Sequence, residues 1–283
     1  MSSSNKAALH HLVRISDLLG GQRIDDLLEV YVTGVQRSLG ANLVGVYLRG
    51  SLAMGDVLES SDIDLLVATE RSVSEDEANT LFTFHAELAA LNHPYATRIE
   101  TAYIDRAALE TYAPGLSHLT LGQGEELKWH EHGSSWVFER WTLREHGVTL
   151  LGPDPEHLIA PVTSGELCQA TRTRLKDWVE WANTPDDSDW RLPDHHKAYV
   201  VETMCRALYT LRRGEMTTKP QAVRWALETL SEPWRSTVQR SQVWRQREWS
   251  RGLIEPEINE EARRFILWVA RQSEEGNGVI LSQ

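Results

Sequence analysis

Cysteine is scarce in this sequence: Cys168 and Cys205 are its only two among 283 residues. They lack the paired spacing of a zinc site and require no disulfide, which is typical of a protein kept in a reducing compartment. Long apolar runs are also missing, and the N-terminal segment contains none that suits a signal sequence or a membrane span. We therefore expect a cytoplasmic protein with no membrane partner.

Positive charge is in short supply as well, with 29 lysines and arginines against 41 acidic residues and a net charge of −12. A surface of that sign repels phosphate backbones, so nucleic acid is not an expected partner. An acidic cleft would instead attract a cationic substrate, although solubility alone explains the charge equally well. The basic stretch at 240–251, RSQVWRQREWSR, also suits an amphipathic helix, and the net charge favours that interpretation.

The hydrophobic pattern changes near residue 160. Before it, helices and strands alternate: helix 23–39, strands 43–48 and 63–68, a helix starting at a capping box on Ser74, and strand 97–104. After it, helices are predicted at 165–183, 197–213, 219–230, 233–251 and 257–272. This predicts an α+β fold, with a mixed sheet flanked by helices in residues 1–160 and an all-α bundle in residues 161–283. The segment 122–147 has no clear assignment.

The segment 48–68, LRGSLAMGDVLESSDIDLLVA, carries the most chemical information. A strand ends at Gly50, a loop of roughly ten residues follows, and Asp62 and Asp64 open the next strand. Residues two apart in a strand point to the same face, so the two carboxylates project together while Ile63 turns into the core. Adjacent carboxylates repel each other, and a divalent cation relieves that repulsion. The pattern therefore predicts Mg²⁺, which prefers oxygen ligands, on Asp62 and Asp64.

Gly50 and Ser51 fit the recognition of phosphate. Glycine lets the backbone approach a phosphate closely, and the Ser51 hydroxyl and nearby N–H groups can donate to its oxygens. No GxxxxGK[ST] motif occurs. If strand 97–104 lies beside the strand of Asp64, Glu100 reaches the same cleft, as a metal ligand or as the base for an attacking hydroxyl.

Each signal has a simpler explanation. Acidic pairs are common on solvated surfaces, although a surface hairpin leaves Asp64 inside an apolar strand unexplained. The segment His130-Glu131-His132 suggests zinc, but no HExxH follows and we interpret it as a polar loop. On the residues alone, Lys219 is a surface residue at a helix start, and Trp181 packs beside Trp178.

The combination of Gly50-Ser51 with Asp62-Ile63-Asp64 resembles the nucleotidyltransferase superfamily, which includes DNA polymerase β-type enzymes. The segments 199–211 and 222–230, with Lys219 between them, resemble the aminoglycoside (3″)(9) adenylyltransferases. The resemblance implies an N-terminal nucleotidyltransferase domain and a C-terminal helical domain. It also implies ATP as co-substrate, and as acceptor a small cationic aminoglycoside or aminocyclitol such as streptomycin or spectinomycin.

The resemblance also implies roles for individual residues. Asp62 and Asp64 would bind Mg²⁺ and nucleotide, and Glu100 would be the catalytic base in contact with the acceptor. Lys219 would contact the ATP phosphates. The remaining acceptor contacts would be Trp129, Trp181, Asp186 and Asp194.

The segment 122–147 does not resemble the well-known resistance enzymes, which leaves the acceptor open. Another small molecule or a protein side chain is the alternative acceptor. A non-catalytic, antitoxin-like binding partner is the alternative class, although the intact motif residues argue against it. We expect a monomer.

Overall fold

The protein is described by a computed structural model covering residues 24–55, 61–122, 124–246 and 256–275. These residues form two compact units that divide between Val162 and Thr163. The predicted loop after Gly50 and the end of the helix predicted at 233–251 lie partly outside the described residues.

The first unit is built on a mixed six-stranded sheet. Its strands are β1 Leu43–Leu48, β2 Ile63–Thr69, β3 Ile99–Asp105, β4 Ser117–Leu121, β5 Lys128–Glu131 and β6 Val148–Leu151, in the order β5-β4-β3-β2-β1-β6. Strands β2 and β3 are parallel, and the other neighbours are antiparallel. The helices are α1 Ile24–Leu39, α2 Gly50–Ala53, α3 Glu75–Ala89, α4 Arg106–Glu110 and α5 Trp136–His146.

Strand β2 contributes side chains to a hydrophobic core on each face of the sheet. Ile63, Leu65 and Val67 join the core on the side of α1 and α3. Leu66 joins a second core that includes Trp136 of α5. This is the alternation expected of a strand buried on both faces, and it places Asp64 on the face that α5 covers.

Two local predictions in this unit have clear outcomes. The capping box is confirmed, because the Ser74 side chain accepts from the Glu77 backbone and the Glu77 carboxylate accepts from the Ser74 backbone. The polar loop predicted for His130–His132 is wrong, because His130 lies in β5, where it pairs with His118. The unassigned segment thus supplies an edge strand and helix α5.

The second unit is helical throughout its described residues, 163–246 and 256–275. Its α-helices are α6 Ser164–Ala182, α7 Asp194–Arg213, α8 Lys219–Thr229, α9 Trp234–Gln246 and α10 Pro256–Glu275. Helix α7 runs through the middle, burying Val200, Met204 and Leu208 against its neighbours. The α+β fold class is therefore confirmed. No helix within the described part of the chain is long and apolar enough to cross a bilayer.

Candidate active site

Gly50 makes the closest approach of backbone to carboxylate in the motif. It has φ +69°, and a Cβ added there would lie 2.1 Å from Oδ2 of Asp64. Both the backbone angle and the lack of space therefore require glycine. Gly50 begins α2, a single helical turn in place of part of the predicted loop, and Ser51 follows it, half-buried.

The parallel pairing of β2 with β3 brings the predicted acids together. Asp64 is the direct register partner of Glu100, and Ile63 beside it is fully buried. Asp62, just before β2, lies with Oδ1 3.6 Å from Nε of Arg98. The three carboxylates thus lie at the same end of the two strands, because the strands pair in the way on which the expectation for Glu100 depended.

The ionisation of Asp64 reflects this crowding. Burial raises its pKa to about 6, Arg49 opposes the rise, and the negative charges of Glu139, Glu100 and Asp62 add to it. Three of these carboxylates, those of Asp64, Glu100 and Glu139, also interact with the buried Arg49. Such a concentration of like charge at one end of a sheet is typical of a functional site, and it favours the binding of a cation.

Arg49 and Glu139 are site residues that sequence reasoning missed. Arg49 is only 9% exposed. Its Nε donates to the Leu65 carbonyl at 3.3 Å, and its Nη1 donates to the Glu139 carboxylate. The same Nη1 lies 3.9 Å from Oδ1 of Asp64. An arginine directly before Gly50, at the end of an apolar strand, was the available signal for the first residue. Glu139 lies in the segment without an assignment.

The charges around Arg49 also control its own ionisation. Burial by itself lowers the pKa of a guanidinium, but Glu139, Asp64 and Glu100 outweigh burial and raise the pKa of Arg49 above its ordinary value. Arg49 is therefore a permanent positive charge inside the acidic cluster.

The donor set suits Mg²⁺ bound together with a nucleotide. Across the described residues, no three His, Cys, Asp or Glu side chains are placed to hold an ion by themselves. Mg²⁺ commonly takes one or two carboxylates and completes its octahedron with water and substrate phosphates. The half-buried pair Asp62 and Asp64, next to the close backbone approach at Gly50, fits that pattern.

The candidates in the second unit show more packing than open binding surface. Trp181 stacks on Trp190 with ring centroids 3.8 Å apart and 7° between planes, and its edge meets Trp178 at 5.6 Å. Lys219 begins α8 with its Nζ 4.0 Å from the centroid of the Tyr199 ring.

The two acids predicted to contact the acceptor lie in the loop between α6 and α7 and at the first residue after it. Asp186 is exposed within this loop, and Asp194 is the half-buried first residue of α7.

Trp129 is not brought to the carboxylates. It is 48% exposed on the edge strand β5, where it pairs with Leu119, and Leu119 pairs in turn with Tyr103. Cross-strand partners share a face of the sheet, and Tyr103 is an odd number of residues from Glu100. Trp129 therefore lies on the sheet face opposite to Glu100 and Asp64.

Comparisons with known proteins match both parts of the chain. A model for a nucleotidyltransferase domain matches residues 32–109, and one for the C-terminal domain of aminoglycoside adenylyltransferase matches residues 157–266. The chain is thus an enzyme of the nucleotidyltransferase class. Within that class, the chain is similar to the aminoglycoside (3″)(9) adenylyltransferases.

Individual relatives are distant but match most of their length. An aminoglycoside (3″)(9) adenylyltransferase from Klebsiella pneumoniae is 28% identical over 225 residues, 74% of this chain and 80% of the relative. A spectinomycin 9-adenylyltransferase from Staphylococcus aureus is 22% identical over 228 residues, 76% of this chain and 82% of the relative. The spectinomycin adenyltransferase from Enterococcus faecialis, solved with ATP and spectinomycin, shares the fold with a TM-score of 0.65 at 16% identity, covering 88% of this chain and 98% of that one.

Proposed function

We propose that this enzyme transfers AMP from ATP, with Mg²⁺, to a hydroxyl of an aminoglycoside or aminocyclitol such as streptomycin or spectinomycin. The observation that carries the chemistry is the register of Asp64 beside Glu100, next to Gly50. The relatives named for adenylylation of aminoglycosides and spectinomycin support the choice of donor and acceptor class.

Different residues would bind the metal and the phosphates of the nucleotide. Asp62 and Asp64 would hold Mg²⁺, which when bound neutralises charge on the phosphates. The backbone at Gly50 and the hydroxyl of Ser51 would hold phosphate oxygens, and Lys219 would add a positive charge to the phosphates.

Glu100 is suited to act as the base. Its carboxylate takes the proton of the acceptor hydroxyl while that oxygen forms a bond to the α-phosphorus. The bond from the α-phosphorus to the bridging oxygen of the β-phosphate breaks, and pyrophosphate leaves with the electron pair. An alcohol is almost un-ionised at neutral pH, so a base placed beside it lowers the barrier. The rest of catalysis is positioning of the in-line attack.

The acceptor would be held by the acids and aromatic residues of the second unit. The exposed carboxylate of Asp186 would form a charge-assisted hydrogen bond to a guanidino or amino group. Trp181 has one face covered by Trp190, so a cation would be bound against its other face. Asp194 is a further acidic contact. Trp129 stays a predicted contact, although its strand directs it to the sheet face opposite Glu100.

The direct test measures pyrophosphate released from ATP and Mg²⁺ with streptomycin, with spectinomycin and with no acceptor. We expect release that requires one of the two drugs and disappears in Asp62→Asn. Release with neither drug would contradict the acceptor, and full activity in Asp62→Asn would contradict the metal site. The monomeric state and the cytoplasmic location remain expectations, and gel filtration with light scattering tests the first.

A further inference from the structure

Arg49 is a cation fixed within reach of the metal-binding acids. Its backbone N–H donates to the Asp64 carbonyl at 2.9 Å, and its Nε donates to the next carbonyl of β2, that of Leu65, at 3.3 Å. These two bonds anchor the guanidinium alongside β2. A buried guanidinium requires a carboxylate partner, because an unpaired charge in such a place is costly.

Two carboxylates compete for this guanidinium. Glu139, from α5, accepts a hydrogen bond from Nη1, whereas Oδ1 of Asp64 lies 3.9 Å from the same nitrogen. A separation of 3.9 Å is an electrostatic contact but too long for a hydrogen bond. In the structure, Arg49 thus donates a hydrogen bond to Glu139 and makes only a longer electrostatic contact with Asp64.

We infer that Glu139 is a positioning residue that holds Arg49 off the Asp64 carboxylate and so keeps Asp64 available to Mg²⁺. Without Glu139, the anchored guanidinium has Asp64 as its nearest acid and competes with the metal for it. The effect is transmitted by Arg49, so Glu139 is not itself a ligand in this scheme. The inference rests on the proposed function, since it assumes that Asp64 binds the metal.

The test is the Mg²⁺ concentration that half-saturates ATP binding in titration calorimetry, with no acceptor present. For Glu139→Gln we expect this concentration to rise about tenfold, as is typical when a residue supporting a metal ligand is lost. Glu139→Asp, which keeps the carboxylate, should recover most of the affinity. The matched control is Glu145→Gln, which removes an exposed acid from the same helix beside Arg144 and should behave as the unmodified protein.

The same substitution in an Arg49→Gln background identifies the route of the effect. If Glu139 acts through Arg49, adding Glu139→Gln there changes the half-saturating concentration by less than about twofold. An equal loss in both backgrounds would overturn the inference, because Glu139 would then act without Arg49. Unchanged Mg²⁺ dependence in the single variant Glu139→Gln would also overturn it, and this result stands even if the Arg49 variant does not fold.

The unmodified protein and Asp62→Asn separate this inference from the proposed function. Binding of ATP that ignores Mg²⁺ in the unmodified protein, or that keeps its Mg²⁺ dependence in Asp62→Asn, contradicts the proposed metal site and the inference with it. Mg²⁺-dependent binding that Asp62→Asn abolishes but Glu139→Gln leaves untouched contradicts the inference alone.

Discussion

Each of the two units buries a cationic side chain, but the groups around it differ and its pKa shifts in the opposite direction. In the first unit Arg49 is surrounded by carboxylates, which raise its pKa although burial opposes the rise. In the second unit Lys197, fully buried, donates to the backbone carbonyls of Trp190 and Leu192, and burial lowers its pKa to about 8. Uncharged carbonyls satisfy the donors of a lysine without adding net charge. Arg49 thus belongs to a charged site, whereas Lys197 belongs to the internal structure of the bundle.

Removing a metal-binding acid should have the largest effect. Asp62→Asn deletes one charge from the cluster, and we expect turnover to fall at least about 1,000-fold, since metal-assisted charge stabilisation contributes several kcal/mol. Circular dichroism and thermal unfolding should show an unchanged fold. Activity within tenfold of the unmodified enzyme would show that the acidic cluster is not the catalytic centre. Arg49 could then no longer be distinguished from Lys197 as the cation that belongs to a functional site.

The buried lysine should matter for stability instead. Lys197→Met removes the side-chain donor to the Leu192 carbonyl and one of the two side-chain donors to the Trp190 carbonyl, so we expect the free energy of unfolding to fall by about 1–3 kcal/mol. Chemical denaturation measures it, with Lys176→Met on the exposed face of α6 as the control. The Mg²⁺ dependence of ATP binding should not change. A variant with altered Mg²⁺ dependence would show that both cations serve the site.

Removing an exposed acid of the second unit should affect binding of the acceptor but not stability. Asp186→Ala removes one charge-assisted contact to a cationic acceptor, so KM for streptomycin should rise about tenfold, the cost of one such bond. Stability should be unaffected because the side chain is solvated. Steady-state kinetics with streptomycin measures it, and an unchanged KM would contradict the proposed contact.

The pH dependence of stability should have opposite slopes for Asp64 and Lys197. Folding raises the pKa of Asp64 from 3.8 to about 6, so between these pH values the folded state binds more protons than the unfolded state. The free energy of unfolding therefore falls as the pH rises through this range. Folding lowers the pKa of Lys197 from 10.5 to about 8, so between these pH values the unfolded state binds more protons than the folded state. The free energy of unfolding therefore rises with pH in this range.

Denaturation of metal-free protein across both windows, compared with Asp64→Asn and Lys197→Met, measures the two slopes. Asp64→Asn should remove the pH dependence of stability only between pH 3.8 and about 6, and Lys197→Met only between about pH 8 and 10.5. A slope that persists in the matching variant would assign the titration to another group.

Sequence patterns predicted much of the fold because the decisive signals were local. Alternation in β2 separated Ile63 from Asp64, and the Ser74 capping box marked the start of α3. The carboxylate cluster was only partly predictable. Asp62 and Asp64 are two residues apart, but the position of Glu100 depends on β3 pairing beside β2 in one register. Glu139 comes from a helix that no pattern marked, 90 residues from its partner Arg49.

The class of enzyme was indicated by the resemblance of the motif residues to the nucleotidyltransferase superfamily. The sequence by itself determined the division into a mixed sheet and a helical part, and the acids expected to bind metal. It could do so because backbone periodicity and neighbouring side chains act over a few residues. Only the tertiary structure decided that Arg49 lies among three carboxylates, that Trp190 covers one face of Trp181, and that Trp129 faces away from Glu100. Those relations depend on strand pairing and packing between distant segments, which local periodicity does not encode.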